Sequence, residues 1–272
     1  MSRDDPVAAA RKHLRRELPK RFYETAEIIE KDGRFHLRLD GRPALSPGRN
    51  ALAVTERALA GALCSEWQAQ SEHIVPAAMP VTRLVNTALD GVTGGEPAIR
   101  ADILAYAGSD LLCYRAGEPQ GLVERQRALW DPVLAWAERL LSVRFKLAEG
   151  VVHAEQPREI PVAVKLKLAV YTDPFALTGL SMATSLTGSA LLALAVAEGF
   201  LTPDDAWHAA HVDEDWNIAQ WGEDAQAAAR RADRRRAPKM RGRTPRSRAP
   251  LVTNHSRAGL YARSALILSY HS

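Results

Sequence analysis

The sequence predicts an α+β fold: a small amino-terminal antiparallel β-sheet and α domain, then a mainly α-helical carboxyl-terminal domain with a long last helix and a disordered basic tail. Three observations carry this. Strand-like alternation with tight-turn residues is concentrated in residues 22–45, apolar residues recur at three- and four-residue steps through most of the chain that follows, and past Ala237 the chain turns to Arg, Ser, Pro and Thr without periodicity. The corresponding boundaries are a flexible basic amino terminus at 1–18, an α/β domain at 19–92, a helical domain at 93–237 and a disordered tail at 238–272.

In residues 22–45, Ile28 and Ile29 precede the turn Lys31-Asp32-Gly33. Phe35, Leu37 and Leu39 then alternate with His36 and Arg38, and Asp40-Gly41 supplies a second turn. Residues 55–70 read as an amphipathic helix through Leu59, Leu63 and Trp67. Pro80 can open the next helix, whose Val81, Leu84, Val85, Ala88 and Leu89 form a stripe ending near Asp90-Gly91. Residues 98–112 and 122–145 follow as helices, with Pro132 expected to kink the second or split it in two. Residues 162–170 alternate with period two, which taken alone favours a strand. Asp173-Pro174 begins a helical stretch to about Gly199. Its charge-free run from Pro174 to Ala197 is interrupted by Gly179, Gly188 and several hydroxyl residues, so a buried helical hairpin is expected in preference to a membrane span.

The last helix is expected to run over residues 202–236. Thr202 can cap it, Pro203 suits the first helical position, and Asp205 completes a capping box. Trp207, His211, Glu214, Ile218, Trp221 and Ala225 recur at steps of four and three and so share one face. A carboxylate on an apolar stripe is costly to bury unpaired, so Glu214 is either satisfied within the fold or kept for a partner. Asp213, Asp215, Glu223 and Asp224 surround it with acid. Trp216 falls off the stripe and is the indole expected at the surface.

The 272 residues suffice for a sizeable core. The net charge of +4 comes from the tail, where residues 238–272 hold seven cations and no acid; the rest is mildly acidic. Nucleic-acid binding through that tail is one alternative function, although such runs are more often solvated. A serine hydrolase using Ser181, in Gly179-Leu180-Ser181-Met182-Ala183, is another; helix packing explains that segment better. His208 and His211 could bind metal with Asp204 or Asp215, but histidines on helix surfaces are common. Cys64 and Cys113 match no metal spacing and read as free, buried thiols. No phosphate-cradling loop or signal peptide is apparent.

Several motifs occur in the order of a known family. These are Arg21-Phe22-Tyr23, Leu39-Asp40-Gly41-Arg42-Pro43, Glu66-Trp67, Met79-Pro80-Val81-Thr82, Asp110 to Arg115, Trp130-Asp131-Pro132, Thr187-Gly188-Ser189, Asp213-Glu214 and Trp221-Gly222-Glu223-Asp224. Over residues 19–236 the chain resembles the ATP synthase mitochondrial F(1) complex assembly factor 2 family, in its bacterial form. The resemblance implies a chaperone without catalytic activity or cofactor. Such a chaperone binds the free alpha subunit of the F(1) sector and shields its beta-facing surface until assembly. It implies a protein of the bacterial cytoplasm, or of the mitochondrial matrix in a eukaryote, monomeric when free. The family's important acidic residue maps onto Glu214, with Asp215, Asn217, Trp221, Glu223 and Asp224 as further partner-binding positions. Asn217 stands where the family pattern leads us to expect glutamine. The resemblance also favours helix over strand at residues 162–170.

Overall fold

A computed structural model describes residues 18–92, 94–150 and 155–221. The sheet forms where the alternation places it. β1 (Ala26–Lys31) and β2 (Arg34–Leu39) pair antiparallel, with Ile28 opposite Leu37 and Ala26 opposite Leu39. The hairpin turn at Asp32-Gly33 and the next turn at Asp40-Gly41 both need positive φ, and all four residues adopt it, at 52°, 70°, 48° and 72°. Short β3 (Arg42–Pro43) and β4 (Ala53–Val54) complete this sheet on β2.

Helix α1 (Arg57–Gln68) covers one face of the sheet through buried Leu59, Leu63 and Trp67. The early motifs meet here. The Tyr23 hydroxyl donates to the Trp67 carbonyl at 2.6 Å, and Arg21 donates to the carbonyls of Tyr23, Glu24 and Gln70. Glu66 accepts from the backbone N–H groups of Val81 and Thr82 at 2.6 and 2.7 Å, sealing the start of α2 (Pro80–Thr87). Burial still holds its carboxyl above the usual range.

The remaining helices are α3 (Glu96–Gly108), α4 (Gln120–Leu141), α5 (Glu159–Ala169), α6 (Pro174–Thr187), α7 (Ala190–Ala197), α8 (Pro203–Ala210) and α9 (Val212–Trp221). The charge-free run is two helices turning at Gly188, whose φ of 65° ends α6, and no described helix is long and apolar enough to cross a membrane. Ser181 sits half-buried within α6, so the strand, sharp turn and helix of a nucleophile elbow are not formed there. Both cysteines are free and buried, as expected.

The sequence left two helix readings open. Pro132 neither splits nor ends α4, because it lies on the exposed side, where water can satisfy the carbonyl one turn earlier. Residues 162–169 belong to a helix, with Val170 as its C-cap, as the resemblance implied and the alternation did not. A two-residue β5 (Tyr114–Arg115) also pairs parallel with β6 (Ala148–Glu149), a contact with no sequence signal.

Helix α7 is the centre of the helical region, with all eight residues buried. Its start is fixed by Asp110, itself fully enclosed. One carboxylate oxygen accepts from the Ser189 hydroxyl at 2.7 Å and the Leu112 N–H at 3.1 Å; the other accepts from the Leu191 N–H at 3.0 Å. Burial outweighs these bonds and raises the Asp110 pKa from 3.8 to about 6. The folded protein therefore holds this proton more tightly than the unfolded chain, and the resulting stabilisation is lost as pH rises from 3.8 to about 6. Urea titrations across that window should show this slope in the parent and not in Asp110→Asn. Asp110→Ala should cost about 1–3 kcal/mol, by leaving buried donors unpaired.

Candidate functional site

Helix α8 begins as the sequence predicts. The Thr202 hydroxyl accepts from the Asp205 N–H at 3.1 Å, and the Asp205 carboxylate reaches back to Thr202. The single long helix does not continue, however. It breaks at His211, where α8 gives way to α9.

Local and distant side chains account for the break. His211 donates from Nδ1 to the Trp207 carbonyl at 2.8 Å, and its ring stacks on the Trp207 indole with centroids 3.8 Å apart. Trp130, from α4, donates its indole N–H to the Ala209 carbonyl at 2.7 Å, an acceptor that a continuous helix would offer to residue 213. Two carbonyls at the end of α8 thus receive side-chain donors.

The break changes the meaning of the acidic cluster. In one long helix these acids would sit in the middle. Here Asp213, Glu214 and Asp215 form the first turn of a new helix, where the exposed N–H groups favour negative charge.

Helix α9 lies against α4. The Gln126 amide donates to Asp213 at 2.8 Å, while its carbonyl oxygen accepts from the Ala116 N–H. The Trp216 ring packs on Gly121, where a Cβ would stand 2.5 Å from Cη2, and the Arg125 guanidinium lies 4.9 Å from its centroid. A side chain at position 121 would displace the Trp216 ring from this crossing.

The sequence-predicted residues are placed as follows. Glu214 and Asp215 are half-buried, and Asp215 comes within 3.9 Å of His208 Nδ1. Asn217 is exposed. Trp221 is 87% exposed, whereas Trp216 is packed, so the expected positions of these two indoles are exchanged. The common face fails because the helix changes course at His211: Trp207, His211 and Val212 face inward, but Trp221 does not. Glu223 and Asp224, with residues 1–17 and the 238–272 tail, lie outside the described residues. No metal-binding group of three or more His, Cys, Asp or Glu occurs among the described residues. Sequence reading missed Gln126 and Gly121 as the residues that seat this helix; neither carries a local signal.

A family model described as ATP12 chaperone protein matches residues 20–138, which ends before α9. The solved structures extend the likeness over the rest. The Atu1473 protein of Agrobacterium tumefaciens is similar at 44% identity and a TM-score of 0.78, covering 99% of this chain and 92% of that one. Atp12 from Paracoccus denitrificans is similar at 31% identity and a TM-score of 0.74, covering 93% and 99%. An aspartate-to-lysine mutant of the Paracoccus protein gives 30% identity and a TM-score of 0.73, covering 93% and 95%.

The arrangement makes α9 an acidic surface helix seated through α4. Replacing Trp130 by Phe keeps the ring buried but removes the donor to Ala209. It should cost about 1–2 kcal/mol in urea denaturation and speed amide exchange in residues 212–221 more than in α7.

Proposed function

This chain belongs to the ATP12 chaperone family, and from that premise we propose that it captures the free alpha subunit of the F(1) sector of ATP synthase. In this reading it covers the subunit's beta-facing surface until the beta subunit replaces it. The observation that carries the reading is α9 itself: an acidic first turn followed by an almost wholly exposed indole at Trp221. Large exposed indoles are costly to leave in water and are enriched at recognition surfaces.

The proposed mechanism is stoichiometric holding. An orphan subunit exposes an apolar interface prone to aggregate, and a partner that covers it lowers the concentration of the free, sticky form by mass action. The holder must also leave, which favours a moderate, charge-steered interface over a large dry one. Glu214, Asp215, Glu223 and Asp224 supply the steering charge, with Asn217 and Trp221 at the contact. The proposed setting is the bacterial cytoplasm, with the chaperone monomeric when free and neither nucleic acid nor membrane as a ligand.

Co-expression of the alpha subunit with this chain should raise the subunit's soluble fraction and allow the two to co-purify. Glu214→Gln should weaken capture with the chaperone's own melting temperature unchanged. Normal capture by that variant, or its unfolding, would remove Glu214 from the interface. Equal solubility with and without the chain would remove the function.

A further inference from the structure

Helix α5 carries two apolar rows. Ile160, Val164 and Leu168, at steps of four, are 0%, 0% and 1% exposed and pack into the core. Two positions further along, Val162, Leu166 and the C-cap residue Val170, which keeps helical backbone angles, repeat the same spacing at 59%, 69% and 68% exposed. An offset of two residues is about 200° around a helix, so the second row faces away from the first. A surface helix normally carries polar residues there.

The outward row is firmly presented. Arg100 donates to the carbonyls of Leu168 and Tyr171 at the end of α5, and the Tyr171 hydroxyl donates to Glu198 at 2.6 Å. The two lysines of the helix differ in their surroundings. Lys167 is closed by Glu198 at 2.9 Å, and both side chains are largely covered. Lys165, beside Leu166, is exposed and makes no ion pair within 4.0 Å among the described residues.

We propose that the outward face of α5 is a second docking surface, occupied by an apolar segment of the client that carries an acidic side chain opposite Lys165. The identity of the client rests on the function proposed above. Charge selects this occupant. A second copy of this chain, paired about a two-fold axis through Leu166, would bring the lysines of both copies into one small interface, where like charges repel. An acidic client segment gives Lys165 the counter-charge that the fold does not provide, while Val162, Leu166 and Val170 are covered.

The test uses the full chain with Leu166→Glu and, separately, Lys165→Glu. Both sites are exposed, so melting temperatures should stay at the parent value; at exposed Arg34 on the sheet, Arg34→Glu matches the charge change of Lys165→Glu and Arg34→Gln that of Leu166→Glu. Each α5 variant should lower the affinity for purified alpha subunit by about tenfold in a direct binding titration. Parent-level binding by both α5 variants, beside a parent that binds, would overturn this surface and leave the client assignment intact. Failure of the parent to bind would overturn the client assignment and this proposal with it. Sedimentation of the free parent as a dimer that Leu166→Glu dissolves would assign the face to self-association. Binding of the parent to anionic phosphatidylserine vesicles, lost in Leu166→Glu without loss of subunit binding, would assign it to lipid.

Discussion

A buried carboxylate fixes the frame on which the rest of the molecule is hung. Asp110 has no exposed surface, and it joins the turn that follows α3 to Ser189 and the start of α7. Enclosing a carboxylate is tolerated because donors converge on it from two segments distant in sequence. With its start fixed, α7 becomes an apolar rod against which α3, α4, α6 and α8 pack. From α4 the constraint passes outward, through the Trp130 bond to Ala209 and the Gln126 bond to Asp213, until it sets the course of α9. A buried anion and a surface acidic helix are thus linked by a continuous series of packed elements.

Acids recur in this fold as seals for helix starts. Glu66 serves α2, Asp173 serves α6 and Asp205 closes the box at α8. Asp213, Glu214 and Asp215 occupy the first turn of α9, where Asp213 accepts from the Gln126 amide of α4; this helix lies at the surface, with an exposed indole at Trp221. The preference for negative charge at a helix start thus acts in the interior and at the surface alike.

The sheet was legible because its signals are local. Alternation sets the inward face, and two Asp-Gly turns with positive φ set the register. The capping box at Thr202 was legible for the same reason. Residues 162–170 were ambiguous because α5 is apolar on opposite sides, so that steps of two mimic a strand; the resemblance to a family resolved what the alternation could not. The break at His211 was hidden, since it depends partly on an indole from α4, far away in sequence. With the break in place, Trp221 is almost wholly exposed while Trp216 lies half-buried against Gly121, and acids that looked misplaced within a long helix sit well at the start of a short one.

Helix α9 is the proposed holding surface for a client subunit. Hydrogen–deuterium exchange of the chain, free and mixed with purified alpha subunit, addresses it at the level of single segments. Slowed exchange across residues 212–221 in the complex, with α7 unchanged, is the expected result. A stable complex in which those amides exchange as fast as in the free chain would contradict it.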